Sequence, residues 1–291
     1  MIDMHMHTIY SDGDKTVEDI LRMCEERKLE YISITDHNTC KQYEDNALNK
    51  NIFTGKIIKG VEMNATFKNK KIEVLGYKIK NPKIIEEWSQ KFFSEEMLRA
   101  QQEESKRKLL NICDKKGLIY DEDKIEKNIS LTDYITIYIY KELIRHKENY
   151  AILGEFAESL NVFIRKGLMN PNSEYYTGSD NVPNPMYKDV IDVVHKAGGL
   201  AFLAHPFEYR FDDTIGFIDE LRKEKELDGI ECFHPSADED RIGILIEYAN
   251  KHNLYISGGS DYHGSKKPDV EIGVGKGNLN IPKEFVEKWI N

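Results

Sequence analysis

Metal-binding residue types are concentrated near the start of the chain, in the stretch DMHMHTIYSDG that begins at residue 3. The 291-residue sequence has nine histidines, and two of them stand here between two aspartates. In a β-strand successive side chains alternate between faces, so Asp3, His5 and His7 would share one face and the apolar residues at 2, 4 and 6 the other. One face of this predicted strand therefore carries potential ligands for a divalent metal ion.

Similar residue types recur at four other places, each at the predicted end of a strand. They are Asp36 and His37 in TDHN, Glu62 in GVE, His205 in LAHP, and Asp261 and His263 in GGSDYHG. In a (β/α) barrel the carboxyl ends of the strands converge on one face, where barrel active sites lie. We therefore expect these distant residues to meet at one site.

The mixture of ligands indicates which ions and which chemistry such a site would serve. Imidazole with carboxylate suits Zn, Mn and Fe, and carboxylate alone suits Mg and Mn. Because the ligands are too numerous for one ion, we expect adjacent ions, which can activate hydroxide and stabilise both oxygens of a phosphoryl displacement. Each motif alone also has an ordinary interpretation, namely a buried histidine, a helix N-cap at Asp36 or a turn at 11–13. Their coincidence at five strand ends favours the metal site.

The first 80 residues alternate short apolar strands with amphipathic helices. The pattern predicts a helix over 16–30 that begins at an N-cap Thr16, and a further helix to about residue 50. The predicted strands are 2–7, 31–35, 56–63 and 72–79. Strands that alternate with helices indicate an α/β fold with a parallel sheet or barrel.

Residues 83–182 interrupt this alternation with helical patterns. We predict one long helix over 81–117 that ends at Gly117, then helices over 131–147 and 150–167, although ITIYIYK within 131–147 has the composition of a strand. A stretch at 171–185, rich in turn residues, would be a linker. We therefore predict a parent domain of residues 1–82 and 183–291, with a helical insertion at 83–182.

The alternation resumes from residue 185. The predicted helices are 186–199, 213–225 and 237–252, and the predicted strands are 200–205, 229–234, 254–261 and a short one near 272. The second half of the chain therefore continues the α/β pattern of the first.

Composition and charge argue against several classes of protein. The net charge of −10 disfavours binding along a nucleic-acid duplex, which requires many Lys and Arg contacts to phosphates. There is no apolar run of about 18 residues to span a membrane, and a strand at residue 2 leaves no room for a signal peptide. The four cysteines form no C-x-x-C pair, which disfavours a disulfide framework or a thiolate zinc site. We therefore expect a soluble, cytoplasmic protein.

The motifs DMHMHTIYSDG, TDHN, GVE, LGY, AGGLAFLAHP and SGGSDYHG followed by KPD resemble those of the PHP (polymerase and histidinol phosphatase) superfamily. The resemblance covers residues 1–80 and 185–280. It is greatest to stand-alone phosphoesterases with a helical insertion, which include nucleotide 3′,5′-bisphosphate phosphatases and 5′-to-3′ oligoribonucleotidases. It implies a distorted (β/α)7 TIM-like barrel that holds a trinuclear metal site.

The resemblance also implies a role for each motif residue. His5, His7, Glu62 and Asp261 would bind one ion, Glu62 would bridge to a second ion with His205, and a third would be bound by Asp12, His37 and His263. Asp3 and Asp36 would orient ligand histidines, and we count Asp36 among the catalytic residues. The implied cofactors are two or three divalent ions of Mn, Fe, Zn or Mg, with Mn favoured.

One ligand position departs from the family pattern. The residue four before the tyrosine of LGY is usually another histidine on the second ion, and here it is Glu73. A glutamate oxygen is a harder ligand, which should shift the preference towards Mn or Mg and away from Zn. Alternatively, Glu73 turns to solvent and the second site is weak or empty.

The expected phosphate-binding residues also differ. Related phosphoesterases often have an Arg and a His where this chain reads LTDYIT, and an Arg soon after AHP, where this chain has Arg210. We predict that Arg210 acts in catalysis by binding phosphate, because a guanidinium binds phosphate bidentately. The next candidates for substrate contact are Lys266, Lys267 and His234. The alternative for each of these residues is an ordinary surface position.

Together these features predict a metal-dependent hydrolase of a small phosphomonoester. The expected substrate is a nucleotide, such as a 3′,5′-bisphosphate, or a short 5′-phosphorylated oligonucleotide, with no long nucleic acid and no membrane as partner. Two alternatives stay open, a histidinol phosphate phosphatase and a non-catalytic metal-binding regulatory module. The sequence leaves the oligomeric state undetermined.

Overall fold

The structure is a computed structural model that describes residues 1–68, 70–126, 129, 133–168, 170, 172–177 and 184–291. The chain divides into two compact units, one of Met1–Lys91 with Asn184–Asn291 and the other of Phe92–Pro183. The boundary predicted at 182–183 and much of the predicted linker lie outside the described residues. The division into a parent domain and an insertion at 83–182 stays a prediction.

The first unit contains two sheets. The three-stranded sheet has the order β1-β2-β3 and is parallel; its strands are Ile2–Asp3, Tyr31–Ile32 and Lys56–Ile57. The five-stranded sheet has the order β4-β5-β6-β7-β8; its strands are Gly60–Phe67, Lys70–Tyr77, Leu200–Leu203, Gly229–Phe233 and Tyr255–Gly258. In this sheet β5 is antiparallel to both neighbours, and β6, β7 and β8 are parallel.

The expectation of a parallel sheet is therefore correct only in part. Strands β4 and β5 are separated by residues 68 and 69 alone, and so short a connection can only make an antiparallel hairpin, because a parallel crossover needs a dozen or more residues. Among the described residues the two sheets do not join into one closed sheet. The α/β class is confirmed, and closure of a (β/α)7 barrel is not.

The helices of the first unit are α1 (Val17–Glu26), α2 (Pro82–Phe93), α7 (Tyr187–Lys196), α8 (Thr214–Glu224), α9 (Glu239–Lys251) and α10 (Lys283–Ile290). The last residues of α2 extend into the second unit, which contains α3 (Glu95–Lys116), α4 (Ile135–Leu143), α5 (Tyr150–Leu153) and α6 (Leu160–Val162). No helix in the described part of the chain has the length and apolar character needed to cross a membrane.

Local sequence signals explain where these helices begin and end. Thr16 caps α1, and its hydroxyl accepts from the Asp19 amide while the Asp19 carboxylate accepts from the Thr16 amide. The long helix predicted over 81–117 is instead two helices, because the Ser94 side chain caps a new helix by accepting from the Met97 amide. Gly117, with φ of 70°, ends that second helix as predicted.

Three further expectations have clear outcomes. The stretch ITIYIYK is helical in α4, so the helical prediction is confirmed. The helix predicted up to residue 50 is wrong, because this segment forms two short 3₁₀ turns, Lys41–Glu44 and Asn46–Asn49. The strand predicted near 272 is also wrong, since residues 271–275 form a turn closed by one bridge.

The apolar face predicted for the N-terminal segment is buried. Met6 packs with α1 and β2 residues in one hydrophobic cluster, while Met4 belongs to the larger core between the five-stranded sheet and helices α7–α10. Asp3, His5 and His7, on the opposite face, are also fully buried. Burial of these polar side chains is costly unless each has a partner, so their contacts define a site.

Candidate metal centre

Two neighbouring chain segments position the first ligands. The amide of Met4 donates to the Gly258 carbonyl at 3.1 Å, and the amide of Asp261 donates to the His5 carbonyl at 2.8 Å. His205 and Asp261 follow β6 and β8 with φ of 23° and 56°, values that non-glycine residues rarely adopt. The extended N-terminal segment and the ends of two strands therefore bring their side chains to one place.

The tightest group of ligands is His5, His7, Glu62 and Asp261, with ligand atoms that all lie within 4.8 Å of one another. The Nε2 atoms of His5 and His7 are 3.1 Å apart, and each is 3.1 Å from Glu62 Oε2. Asp261 Oδ1 lies 3.6 Å from His5 Nε2 and 3.3 Å from His7 Nε2. These four residues are the ones that the resemblance assigns to the first ion.

This arrangement fits a divalent cation. Ligand atoms about 2.0–2.2 Å from one ion lie about 2.8–3.6 Å apart in tetrahedral or octahedral geometry, which is the range of the contacts above. Two imidazole nitrogens and two carboxylate oxygens therefore converge on one point. A cation would satisfy all four groups at once.

A second group surrounds Asp12. Its Oδ1 lies 3.2 Å from His263 Nε2 and 3.4 Å from His7 Nδ1, and its Oδ2 lies 3.8 Å from His37 Nε2. The ligand atoms of these four residues lie within 4.8 Å of one another. The structure therefore brings together the residues that the resemblance assigns to the third ion.

A third group contains His37, Glu62 and Glu73, whose ligand atoms lie within 4.8 Å of one another. His205 Nε2 is 2.9 Å from Glu62 Oε1 and 3.3 Å from Glu73 Oε2, while His37 Nδ1 is 3.3 Å from Glu62 Oε2. The buried Nδ1 of His37 has no hydrogen-bond partner among the described residues. Glu73 thus faces the cluster instead of turning away to solvent.

Charge and burial together set the protonation of the cluster. Burial alone would lower the pKa of His7, but its contacts with Asp261, Glu62 and Asp12 raise it to about 10. For His205, too, burial alone would lower the pKa, but the neighbouring carboxylates raise it to about 9. In the absence of cations the imidazoles of His7 and His205 would therefore carry protons, which metal ions would have to displace.

The pKa values of Glu62 and Glu73 are shifted in opposite directions. Burial alone would raise the pKa of Glu62, but His5 and His37 hold it well below its usual range. Burial and the charge of Glu62 raise the pKa of Glu73 above its usual value. A second carboxylate beside Glu62 is therefore unfavourable without a cation.

The two aspartates expected to orient ligand histidines bind other groups. Asp3 accepts from the amides of His5, Ser260 and Gly273 and so holds three backbone segments. Asp36 accepts from the Thr8 amide at 2.8 Å, the Thr8 hydroxyl at 2.7 Å and the Ser11 hydroxyl at 2.6 Å. Asp36 is fully buried and reaches His7 only through Ser11, so its catalytic role stays a prediction.

The substrate-binding candidates separate into two pairs. The Lys267 ammonium contacts Asp261, and His234 Nε2 lies 3.3 Å from Asp261 Oδ2, so both lie against the ligand cluster. Lys266 is exposed in a short turn, and Arg210 is exposed with φ of 53°. Arg210 makes no side-chain contact with the cluster among the described residues, and the structure brings Lys267 closer to it.

Sequence reasoning missed Glu231 and Tyr209. Glu231 is fully buried within β7, and its Oε1 lies 2.9 Å from His5 Nδ1. The Tyr209 hydroxyl accepts from the Glu73 amide at 2.8 Å, and its ring meets the His205 ring edge-on. A charged residue at the centre of GIECF is the signal that could have identified Glu231, because an ion inside an apolar strand requires a partner.

Known proteins share this fold along nearly the whole chain. A structure from Bifidobacterium adolescentis, described as a metal-dependent phosphoesterase, covers 100% of this chain and 96% of its own with TM-score 0.69 and 22% identity. An amidohydrolase from Chromobacterium violaceum, with bound sulfate and no metal, covers 91% of this chain and 88% of its own with TM-score 0.70 and 20% identity. At these identities the likeness concerns the fold.

Sequence relatives point to the family. A phosphoribosyl 1,2-cyclic phosphate 1,2-diphosphodiesterase of Eggerthella lenta is 26% identical over 90% of this chain and 94% of its own length. The 5′-3′ exoribonuclease Rnm of Escherichia coli is 24% identical over 93% and 87%. The family model described as PHP domain matches residues 3–232, and the chain therefore belongs to the PHP domain family.

Proposed function

We propose that this metal-dependent phosphoesterase of the PHP family hydrolyses the phosphomonoester of a nucleotide or of a short 5′-phosphorylated oligonucleotide. The observation that carries the proposal is the position of Glu62. Its Oε2 faces His5, His7 and His37, and its Oε1 faces His205. A carboxylate with ligands on both oxygens can join neighbouring ions, the arrangement that phosphoryl-transfer enzymes use.

The chain would hold up to three ions with the residues already described. One would lie among His5, His7, Glu62 and Asp261, one among Glu62, Glu73 and His205, and one among Asp12, His37 and His263. Such ions act as Lewis acids and lower the pKa of water to near neutral. The oxygen of Glu73 favours Mn²⁺ or Mg²⁺, and Mn²⁺ is the ion that we favour.

Lys267 supplies the charge that the substrate requires. Its side chain is 40% exposed while its ammonium contacts Asp261, so it lies between the ligands and solvent. Although burial lowers the pKa of this amine, the Asp261 carboxylate raises it above its usual value, and the group stays protonated. We infer that Lys267 binds a phosphate oxygen and orients the phosphorus for attack by water, with Arg210 as the next candidate.

The named activities of the relatives support a substrate that contains phosphorylated ribose. One relative is named as a 5′-3′ exoribonuclease, which acts on RNA, and another acts on a phosphoribosyl 1,2-cyclic phosphate. The net charge of −10 disfavours binding along a long duplex. Histidinol phosphate hydrolysis and a non-catalytic regulatory role have no comparable support, and they serve as outcomes of the test.

The test is phosphate release by Mn²⁺-loaded protein across a substrate panel. The panel is adenosine 3′,5′-bisphosphate, short 5′-phosphorylated RNA, ordinary mononucleotides, phosphoribosyl 1,2-cyclic phosphate and histidinol phosphate. We expect phosphate release from the nucleotide or RNA substrates, and RNA chain length is measured as well, because chain shortening would show phosphodiester cleavage in place of phosphomonoester hydrolysis. Asp261→Asn should lower kcat/KM by about 100-fold or more, because it removes a ligand carboxylate beside four histidines.

Asp269→Asn is the matched control. Asp269 is exposed and pairs with Lys276 at 2.7 Å, so this variant should keep wild-type activity. Activity restricted to histidinol phosphate would replace the proposed substrate. Metal binding without turnover of any panel member would favour the regulatory module.

A further inference from the structure

Glu231 is a charged residue in the middle of an otherwise apolar strand. It belongs to β7, Gly229–Phe233, where all five residues are buried. Its Oε1 lies 2.9 Å from His5 Nδ1, and its Oε2 accepts from the His205 amide at 2.8 Å. Each oxygen of this carboxylate therefore has a partner, and each partner belongs to a residue placed among the metal ligands.

We propose that Glu231 is a positioning residue that orients two metal-ligating histidines at once, an inference that rests on the metal site of the proposed function. The carboxylate accepts the proton of His5 Nδ1. This contact selects the tautomer whose Nε2 lone pair faces His7 and Glu62, which lie 3.1 Å away. The negative charge behind the ring also makes Nε2 a stronger donor to a cation.

The second contact acts on the backbone. His205 follows β6 with φ of 23°, a conformation that costs free energy and persists only where its surroundings hold it. The bond from its amide to Glu231 is one such restraint, and the His205 ring meets Glu62 Oε1 at 2.9 Å. Glu231 thus connects His5, which follows β1, to His205, which follows β6.

Only a carboxylate satisfies both contacts. His5 Nδ1–H and the His205 amide are both donors, so both partner atoms must be acceptors. Glutamine has the same size but offers one acceptor oxygen and one NH₂ group. In a Glu231→Gln variant one of the two donors would face another donor, and the charge behind His5 would be lost.

Glu231→Gln tests the proposal through metal binding. Mn²⁺ affinity is measured by titration, with free Mn²⁺ followed by its EPR signal, and the melting temperature is measured in EDTA and in Mn²⁺. We expect the binding step that depends on His5 and Glu62 to weaken by about 10- to 100-fold, with a smaller rise in melting temperature on adding Mn²⁺. Activity should recover at high Mn²⁺ concentration.

Glu142→Gln is the matched control. Glu142 is also a buried glutamate, whose Oε1 lies 3.0 Å from His146 Nε2 and accepts from the Asp121 amide at 3.3 Å. It belongs to the other unit, so its variant should keep wild-type Mn²⁺ affinity whatever its effect on stability. Equal Mn²⁺ affinity and equal Mn²⁺-induced stabilisation in Glu231→Gln and the wild type would overturn the proposal, even if Glu231→Gln melts earlier in EDTA.

A second measurement requires no folded variant of Glu231. In ¹⁵N NMR of Zn²⁺-loaded wild-type protein, assigned with the aid of His5→Gln, we expect His5 to be protonated at Nδ1 and bound to the ion through Nε2. Coordination through Nδ1 would overturn the proposal. Absence of metal binding by the wild type would instead contradict the proposed function, so the two failures are distinguishable.

Discussion

Glu73 is the residue that most distinguishes this metal centre from the pattern its motifs resemble. Its Oε2 lies 3.3 Å from His205 Nε2, and the Tyr209 hydroxyl holds its backbone. If Glu73 binds an ion as proposed, an oxygen donor stands where the resemblance implies an imidazole nitrogen, while the neighbouring positions match the pattern. The ion preference of this one position can therefore be tested by exchanging the ligand alone.

We predict that Glu73→His changes which metal the protein selects. Imidazole suits Zn²⁺ better than Mn²⁺, so the ratio of Zn²⁺ to Mn²⁺ affinity should rise by about tenfold. The measurement is metal content by mass spectrometry after dialysis of each protein against both ions together.

Glu73→Gln provides the matched control, because it keeps an oxygen ligand and removes only the charge. It should weaken the binding of both ions and leave their ratio close to that of the wild type. An unchanged ratio in Glu73→His would show that this position does not select the metal.

Single residues also show what the sequence could and could not predict at the site. That His5, His7 and Asp261 would lie together was predictable, because residue types that bind metals recur at the predicted ends of strands. The contacts of Glu231 were not, since they depend on which strands become neighbours in space. The partners of Asp36 depend likewise on the path of the loop at Thr8 and Ser11.

At the scale of elements, the site depends on close approach between β8 and the N-terminal segment. A Cβ added at Gly259 would lie 2.3 Å from His5 Cβ and 2.4 Å from His5 N, distances that packed atoms do not adopt. Gly259→Ala must therefore push the segment that carries His5 away from its neighbour. We expect a loss of about 1–3 kcal/mol in stability, from overpacking, together with weaker Mn²⁺ binding, measured by urea unfolding and metal titration.

Gly243→Ala is the corresponding control within α9. An added Cβ at Gly243 meets nothing within 4 Å, and the residue is exposed inside a helix. Alanine should stabilise the protein here by about 0.5–1 kcal/mol, because it favours the helix over the unfolded chain. Metal affinity should stay at the wild-type value. If Gly259→Ala and Gly243→Ala changed stability and Mn²⁺ affinity equally, the site would not depend on the close approach between β8 and the N-terminal segment.

The elements themselves were predictable where local signals are strong. The capping box at Thr16 and the glycine at 117 identified helix ends, because both act through neighbouring residues. The antiparallel position of β5 was not predicted, although the short connection after β4 already required a hairpin. The segment 41–49 resembled a helix in composition, and tertiary contacts decided its conformation, since Tyr43 donates to the Ile34 carbonyl and Gln42 to the Gly60 carbonyl.

At the scale of the whole molecule, the protonation of the ligand cluster affects the stability of the fold. The cluster combines buried carboxylates with buried imidazoles, and in metal-free protein His7 and His205 keep protons that compensate the carboxylates. The pKa of His7 is raised to about 10 and that of His205 to about 9 by neighbouring carboxylates, which outweigh the lowering by burial. Both values exceed the ordinary histidine pKa of about 6.5.

The metal-free protein should therefore lose stability as the pH rises from 7 to 9. In this window the folded chain keeps protons on His7 and His205 that the unfolded chain has released, so a rise in pH favours unfolding. Each such proton contributes up to about 1.4 kcal/mol per pH unit. Glu62 and Asp261, whose pKa values are lowered, are ionised in both states above pH 7 and add no slope there.

Melting temperatures measured in EDTA and in saturating Mn²⁺ across this pH range provide the check. With Mn²⁺ present the ions replace the protons, so the decline should flatten, and Mn²⁺ affinity should increase with pH because fewer protons compete. His7→Asn should reduce the decline seen in EDTA, since it removes one of the proton-binding groups. A metal-free protein whose melting temperature is constant from pH 7 to 9 would show that the cluster does not retain these protons.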